Sequence, residues 1–211
     1  MKELLEKGDF KKIDEAFLTQ SLTVFQDITK IQQKYNKFDT DTFINEVRDS
    51  MTAKYLKYTH INIAKHGLDA KRQSKNSVLK FDYLEVKTAS YDAESWKTIF
   101  NDTTLEKANL FKEQNIELAL SVWRAASELL FIVYGKNTGI GNFLEEKVKQ
   151  FKKSKKTVRS TQSISISPLV LKYGFNVYSV NKTPDEIYNL FQIRSDCRKI
   201  PRNKILRIED L

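Results

Sequence analysis

The chain has 211 residues, which is the length of one domain that can bury a core without disulfides. Its 36 Lys and Arg exceed its 27 Asp and Glu, and the resulting formal charge of +9 favours an anionic partner, nucleic acid before an anionic membrane. The only cysteine, Cys197, excludes an internal disulfide framework and a multi-cysteine zinc site. We find neither a signal-peptide pattern nor a membrane-length apolar stretch, so we expect a cytoplasmic protein with no membrane partner.

Low glycine and proline content argues for a single domain over residues 1–211. The chain has only 6 Gly and 3 Pro, and it contains no linker-like segment and no internal repeat. Apolar residues at spacings of three, four and seven from Phe10 to Tyr35 predict an amphipathic helix. A second helix is expected over about 41–58, with an apolar side made of Phe43, Ile44, Val47 and Met51.

The middle of the chain has the composition of a sheet. Residues 77–90 are rich in β-branched and aromatic side chains and predict a long strand. A short strand over 66–70 and a hairpin turn in the polar run 71–76 are expected before it. Residues 116–126 fit a strand or a helix, whereas 128–134 are typical of a buried strand.

Helix signals surround these strands. A capping-box pattern over 103–106 predicts a helix to about residue 114, and Thr183 followed by Pro184 predicts the start of the last helix. The remaining expectations are a turn over 135–141, a helix over 142–156, and strands over 162–167 and 175–180. This order predicts an α/β (or α+β) fold with a central mixed β-sheet flanked by helices.

Three charged residues on and before the long strand carry the functional signal. Glu85 and Lys87 lie two apart, so they project from one face of a strand, while Leu84 and Val86 project from the other. A hairpin through 71–76 would bring Asp69 beside Glu85. Two converging carboxylates can hold Mg²⁺, and a lysine beside them can orient the attacking water or stabilise charge on a phosphate.

The pattern Asp69, Glu85, Val86 and Lys87 resembles the PD-(D/E)XK nuclease superfamily, and the order of elements over about 40–135 resembles its core. Leu68 is a departure, because the family often has proline there. The resemblance implies Asp69, Glu85 and Lys87 as catalytic residues and Asp69, Glu85 and Val86 as the metal site. For a chain of this size, it implies a restriction-endonuclease-like fold and an Mg²⁺-dependent type II restriction enzyme that cuts double-stranded DNA as a homodimer.

On that expectation the chain has three parts: an N-terminal helical part over 1–40, a catalytic core over 41–135 and a DNA-recognition part over 136–211. Two further acids compete for the site. Asp82 lies three positions before Glu85 and is expected on the opposite face, whereas Glu46 on the preceding helix is a further candidate metal ligand. Two other functions remain open: a repair or junction nuclease of the same superfamily, and a non-catalytic DNA-binding regulator with an accidental Glu-x-Lys.

A basic run over 147–159 contains no acid and has two open interpretations: a DNA interface, because its lysines can neutralise phosphates, or a solvated helix end followed by an ordinary loop. The polar stretch after it is suited to reading bases, since Arg can bond guanine and Gln can bond adenine through two hydrogen bonds. The candidate DNA-binding residues are Lys152, Lys153, Lys155, Lys156, Arg159, Ser160, Thr161 and Gln162. A second basic patch near the C-terminus, from Arg194 to Arg207, is an alternative phosphate contact.

Overall fold

A computed structural model describes residues 15–36, 40–61, 68–75, 80–101, 103–113, 116–153 and 161–211. The chain divides into two compact units, Met1–Ile44 and Asn45–Leu211. In the first unit, helix α1 spans Glu15–Tyr35, as its apolar spacing predicts, while the predicted helical residues 10–14 lie outside the described residues. Among the described residues, no helix is both long enough and apolar enough to cross a membrane.

Helix α2 (Thr40–Tyr55) leads into the second unit, which contains the remaining elements. The other helices are α3 (Leu105–Glu113), α4 (Gly139–Lys153), α5 (Ile166–Leu171) and α6 (Pro184–Gln192). The strands are β1 (Thr59–His60), β2 (Ala70–Gln73), β3 (Phe81–Ser90), β4 (Lys97–Phe100), β5 (Ile116–Arg124), β6 (Glu128–Gly135), β7 (Gln162–Ser165), β8 (Asn176–Ser179) and β9 (Ile205–Arg207).

Seven strands form one mixed sheet in the order β1-β2-β3-β5-β6-β8-β9. β3 pairs with β5 in parallel, and β8 pairs with β9 in parallel, while the other neighbours are antiparallel. Helices cover both faces, so the predicted α/β fold with a central mixed sheet is confirmed. β4 and β7 form a separate two-stranded sheet.

The sheet separates two apolar cores. On one face, Leu118 and Leu120 of β5 pack with Phe111 of α3. On the other face, Ala53 and Leu56 of α2 pack with residues of β3. Because β5 is buried on both faces, its apolar residues run almost continuously, which is why the sequence left strand and helix open over 116–126.

The structure corrects three expected elements. The polar run 71–76 is not simply a turn, because its first residues, Lys71–Gln73, belong to β2 and pair with β3. The strand expected over 162–167 ends at Ser165, since Ile166 and Ser167 begin α5. The short strand β4 was not predicted at all; it has four residues and pairs with β7 in the small sheet.

The helix starts are partly as predicted. Thr183 caps α6 by accepting a hydrogen bond from Glu186 N at 3.2 Å, which confirms the predicted start. In α3 the cap is Thr104, whose Oγ1 accepts from Lys107 N at 3.1 Å, whereas the Thr103 hydroxyl donates to the Phe100 carbonyl. The capping pattern is therefore displaced by one residue.

Two further expectations about helices are wrong in part. Helix α4 begins at Gly139, inside the segment expected to be a turn, and a Cβ at Gly141 would lie 2.6 Å from the carbonyl oxygen of Ala108. Only glycine therefore fits where α4 meets α3. On α2, Val47 is 41% exposed although it was assigned to the apolar side, because the helix turns Thr52, Ala53 and Leu56 inward.

Candidate active site

The candidate site lies where β2 ends and β3 continues. The last β2–β3 pair is Ala70 opposite Leu84, and the backbone N–H of Asp69 still donates to the Leu84 carbonyl at 2.9 Å. One residue pair further, the N–H of Val86 donates instead to the Asp69 carboxylate, at 2.6 Å from Oδ2. Beyond the last β2–β3 pair, the Asp69 side chain therefore takes the place of the β2 backbone as the hydrogen-bond partner of β3.

Glu85 and Lys87 share the face of β3 that the sequence predicts. The Lys87 ammonium lies 2.6 Å from Glu85 Oε1, and Glu85 is only 2% exposed. Leu84 and Val86 pack into the core on the opposite face, as expected from strand alternation. The structure therefore brings together all three residues that the sequence singled out.

A second lysine, which the sequence reasoning missed, also reaches Glu85. Lys107 lies in the first turn of α3, and its ammonium donates to Glu85 Oε1 at 3.0 Å. Its side chain is 20% exposed. Nothing in its spacing from Glu85 signals the contact, because it depends on how α3 packs beside the sheet.

The helical acid that joins the site is Asp49, three residues after the Glu46 that the sequence suggested. Thr88 of β3 donates to Asp49 Oδ1 at 3.2 Å. Asp49 lies four residues before Ala53 and seven before Leu56, so it is on the buried stripe of α2. A carboxylate on the buried stripe of a helix is the signal that could have identified it. We call Asp49, Asp69, Glu85, Lys87 and Lys107 the Glu85 cluster.

The two aspartates of the Glu85 cluster hold protons more strongly than usual. Burial, followed by repulsion from Asp69, raises the pKa of Asp49 from 3.8 to about 7. Burial and repulsion from Glu85 raise the pKa of Asp69 to about 6, against the opposing effects of Lys87 and the Val86 N–H. Mutual repulsion between carboxylates is the electrostatic condition that a bound cation relieves.

Lys87 remains positively charged in this setting. Burial by itself would lower the pKa of its ammonium, but attraction from Glu85 and Asp69 outweighs burial, so the pKa is raised. A protonated Lys87 can donate hydrogen bonds and stabilise negative charge, and it cannot accept a proton from water.

The oxygen atoms of Asp69, Glu85 and Val86 suit Mg²⁺ as a ligand set. Across the ranges that the structure describes, no three His, Cys, Asp or Glu side chains are grouped as a ready metal cage. Mg²⁺ needs fewer protein ligands than such a cage provides, because it keeps several waters and binds through one or two carboxylates. Asp69 and Glu85 supply these, and the Val86 carbonyl points to the same side of β3 as its N–H, toward Asp69.

Asp82 belongs to a different network, on the opposite face of β3 as expected. Arg72 lies 3.4 Å from Asp82 Oδ2 and 3.2 Å from Glu117 Oε1, and the Ser74 hydroxyl donates to Asp82 at 2.7 Å. The Tyr58 hydroxyl donates to Glu117 at 2.6 Å, and the Arg72 guanidinium stacks over the Tyr58 ring. We call these five residues the Arg72 cluster.

The predicted DNA-binding residues are only partly within the described chain. Lys152 and Lys153 end α4 with exposed side chains, and Thr161 is also exposed. Gln162 begins β7, opposite Phe100 of β4. Lys155, Lys156, Arg159 and Ser160 lie outside the described residues.

The alternative basic patch near the C-terminus is engaged within the protein at several positions. Arg194 lies 3.9 Å from the centre of the Trp96 ring and donates to the Ala93 and Glu94 carbonyls. Arg202 pairs with Asp185 at 2.6 Å. These two arginines hold loops and helices of the fold together, which reduces their value as phosphate contacts.

Comparison with models of known protein families finds none that matches this chain, and comparison with curated proteins finds no significant match. The geometry of the Glu85 cluster is therefore the main indication of function.

Proposed function

We propose that this protein is an Mg²⁺-dependent endonuclease of the PD-(D/E)XK type that hydrolyses phosphodiester bonds in double-stranded DNA. The observation that carries the proposal is the convergence of Asp69, Glu85 and Lys87 just beyond the last pair of β2 and β3. Buried carboxylates that repel one another beside a protonated lysine suit a cation and a phosphate better than they suit a structural ion pair.

Each residue has a distinct part in this proposal. The carboxylates of Asp69 and Glu85 and the carbonyl of Val86 would hold Mg²⁺. When bound, Mg²⁺ supplies an acidified water and neutralises charge on a phosphate oxygen. Lys87, which attraction from Glu85 and Asp69 keeps protonated, donates to the phosphate or orients the attacking water.

Double-stranded DNA is the proposed substrate because of charge. The net charge of +9 favours a polyanion, and Lys152 and Lys153 present exposed ammoniums at the end of α4. Thr161 and Gln162 follow the same segment and are proposed to read bases. The lysines supply affinity for DNA of any sequence, and Thr161 and Gln162 supply the preference for particular bases.

A restriction role and a homodimer complete the proposal. Each chain offers one Glu85 cluster, so cutting both strands at one place requires two copies or two successive events. Two copies related by a two-fold axis match a palindromic site in which each strand meets an identical protomer. A DNA methyltransferase gene beside the gene for this chain would support restriction over repair.

The test is cation-dependent cleavage of long unmodified DNA, which contains most short recognition sequences. The wild-type protein should give discrete fragments with Mg²⁺ and none with a chelator. Asp69→Asn and Lys87→Ala should lower the cleavage rate by about a thousandfold or more, because each removes several kcal/mol of transition-state stabilisation.

Both variants should keep the wild-type unfolding temperature within a few degrees and should retain DNA binding in a gel-shift titration without Mg²⁺. Full cleavage by both variants would show that the Glu85 cluster is not the active site. Absence of cleavage by the wild type on any duplex would contradict the nuclease proposal itself.

A further inference from the structure

Lys107 occupies a position that helix stability does not favour. It lies in the first turn of α3, where its backbone N–H donates to the Thr104 cap. An ammonium in the first turn opposes the helix dipole, so local energetics would select an acid instead. The side chain nevertheless turns toward the sheet and donates to Glu85 Oε1 at 3.0 Å.

Two ammoniums share one oxygen of Glu85. Lys87 and Lys107 both contact Oε1, at 2.6 and 3.0 Å. A carboxylate that is 2% exposed needs a counter-charge, because an unpaired buried charge costs several kcal/mol. If Lys87 turns toward a phosphate, Lys107 is the ammonium that stays on Glu85, beside the metal that Glu85 would hold.

We propose that Lys107 is a positioning residue that remains a counter-charge of Glu85, fixes the Glu85 carboxylate at the metal site and releases Lys87 to act on the phosphate. This inference rests on the proposed nuclease function and adds a residue to its site. Lys107 itself does not touch the substrate.

Charge balance supports this assignment. Above the raised pKa of Asp49, about 7, three ionised carboxylates and two ammoniums leave the Glu85 cluster one unit negative. One Mg²⁺ and one phosphodiester then bring the assembled site to neutrality. Without Lys107, the empty cluster would be two units negative and would attract a divalent cation more strongly, but the metal-loaded site would be neutral and would lose its net attraction for the phosphate.

The chain offers a matched control on the same helix. Lys112 of α3 has a side chain 24% exposed, against 20% for Lys107, and it pairs with Glu145 at 2.6 Å. Lys112→Met therefore removes one paired lysine from α3 without changing the Glu85 cluster. Lys107→Arg keeps the charge, and Lys107→Gln serves if Lys107→Met does not fold.

The experiment measures three quantities for each variant of the full chain. Binding of Mn²⁺ without DNA is followed by electron paramagnetic resonance, cleavage is followed in single turnover at saturating Mg²⁺, and folding is followed by thermal unfolding. Lys107→Met should bind Mn²⁺ on the order of threefold more tightly, because a like charge has been removed. It should cleave about tenfold more slowly, because Glu85 then competes for Lys87.

Lys107→Arg should return both quantities toward wild type, and Lys112→Met should match wild type within about twofold. Weaker Mn²⁺ binding in Lys107→Met without rescue by arginine would mean that Lys107 only supports the fold, and it would overturn the inference. Unchanged Mn²⁺ binding and cleavage in Lys107→Met would also overturn it, with the nuclease proposal intact. A wild-type protein that neither binds Mn²⁺ nor cleaves DNA would overturn both.

Discussion

The polar residues around β3 form two clusters whose carboxylates have different partners: the Arg72 cluster lies on the face of Asp82, whereas Glu85 and Lys87 of the Glu85 cluster lie on the other face. In the Arg72 cluster, one guanidinium lies within 3.4 Å of both Asp82 and Glu117, and Tyr58 and Ser74 add hydrogen bonds. In the Glu85 cluster, both ammoniums contact Glu85. Asp49 and Asp69 have no ion pair with any of the described residues.

The difference indicates which cluster is built for stability and which for function. Among the described residues, Asp49 accepts a hydrogen bond from Thr88 and Asp69 accepts one from the Val86 N–H. Burial and repulsion from neighbouring carboxylates, Asp69 for Asp49 and Glu85 for Asp69, raise the pKa of both. Carboxylates left in repulsion destabilise the fold, and such arrangements are typical of functional sites. The predictions below separate the two clusters by experiment.

The largest expected effect on stability is in the Arg72 cluster. Arg72→Met removes the guanidinium that pairs with Asp82 and Glu117, which should lower the free energy of unfolding by about 3 kcal/mol. Cleavage per folded molecule should stay at the wild-type level, because Arg72 lies across the sheet from Glu85. Urea unfolding combined with a cleavage assay checks both. A large loss of activity in the folded variant would remove the distinction between the clusters.

The second prediction concerns pH. The folded-state pKa of Asp49, about 7, lies above its ordinary value of 3.8, so the folded protein binds the proton more tightly than the unfolded chain does. The contribution of protonated Asp49 to the free energy of unfolding is complete below about pH 4, and it is lost as the pH rises through about 7. Asp69, with its pKa raised to about 6, acts in the same direction.

These two groups should therefore lower the free energy of unfolding of the wild type as the pH rises from 4 to 7, which chemical unfolding measures. Asp49→Asn should flatten that decrease, because a neutral amide replaces the buried acid, and saturating Mg²⁺ should flatten it in the wild type. An unchanged pH dependence in Asp49→Asn would mean that Asp49 is not buried beside Asp69.

The smallest predicted effect concerns DNA affinity at the end of α4. Lys152→Ala should reduce the slope of log affinity against log salt by about one unit, because one phosphate contact is lost. Lys149→Ala is the matched control, since Lys149 lies on the same helix but pairs with Glu145 at 2.9 Å. Equal slopes for both variants and the wild type would move the DNA interface away from α4.

The sequence predicted the part of the site that depends on one strand. Alternation along β3 suffices to place Glu85 and Lys87 together, and the hairpin position suffices to suggest Asp69. Lys107 was not predictable, because its contact depends on the packing of α3, and the cap at Thr104 rather than Thr103 fixes its direction. Asp49 was missed because the apolar side of α2 was assigned to Val47 and its neighbours, whereas the helix buries another stripe.

The fold was predictable to a similar degree. Strong periodicity and turn signals located α1, β3, β6 and α6. β7 was predicted from its alternating Ser and Ile, but β4 and its pairing with β7 were missed, because a four-residue strand whose partner is distant in sequence leaves little local pattern. The start of α5 was missed because alternating Ser and Ile fit a strand until the chain reaches the helix at Ile166.

The most direct test compares two acids of the same strand, three residues apart and on opposite faces. Glu85→Gln and Asp82→Asn each replace a buried carboxylate of β3 by its amide, so they perturb folding in similar ways. The Mg²⁺-dependent rate of DNA cleavage should fall by about a thousandfold in Glu85→Gln and should change less than about threefold per folded molecule in Asp82→Asn. Equal rates in the two variants would contradict the assignment of the active site to the Glu85 cluster.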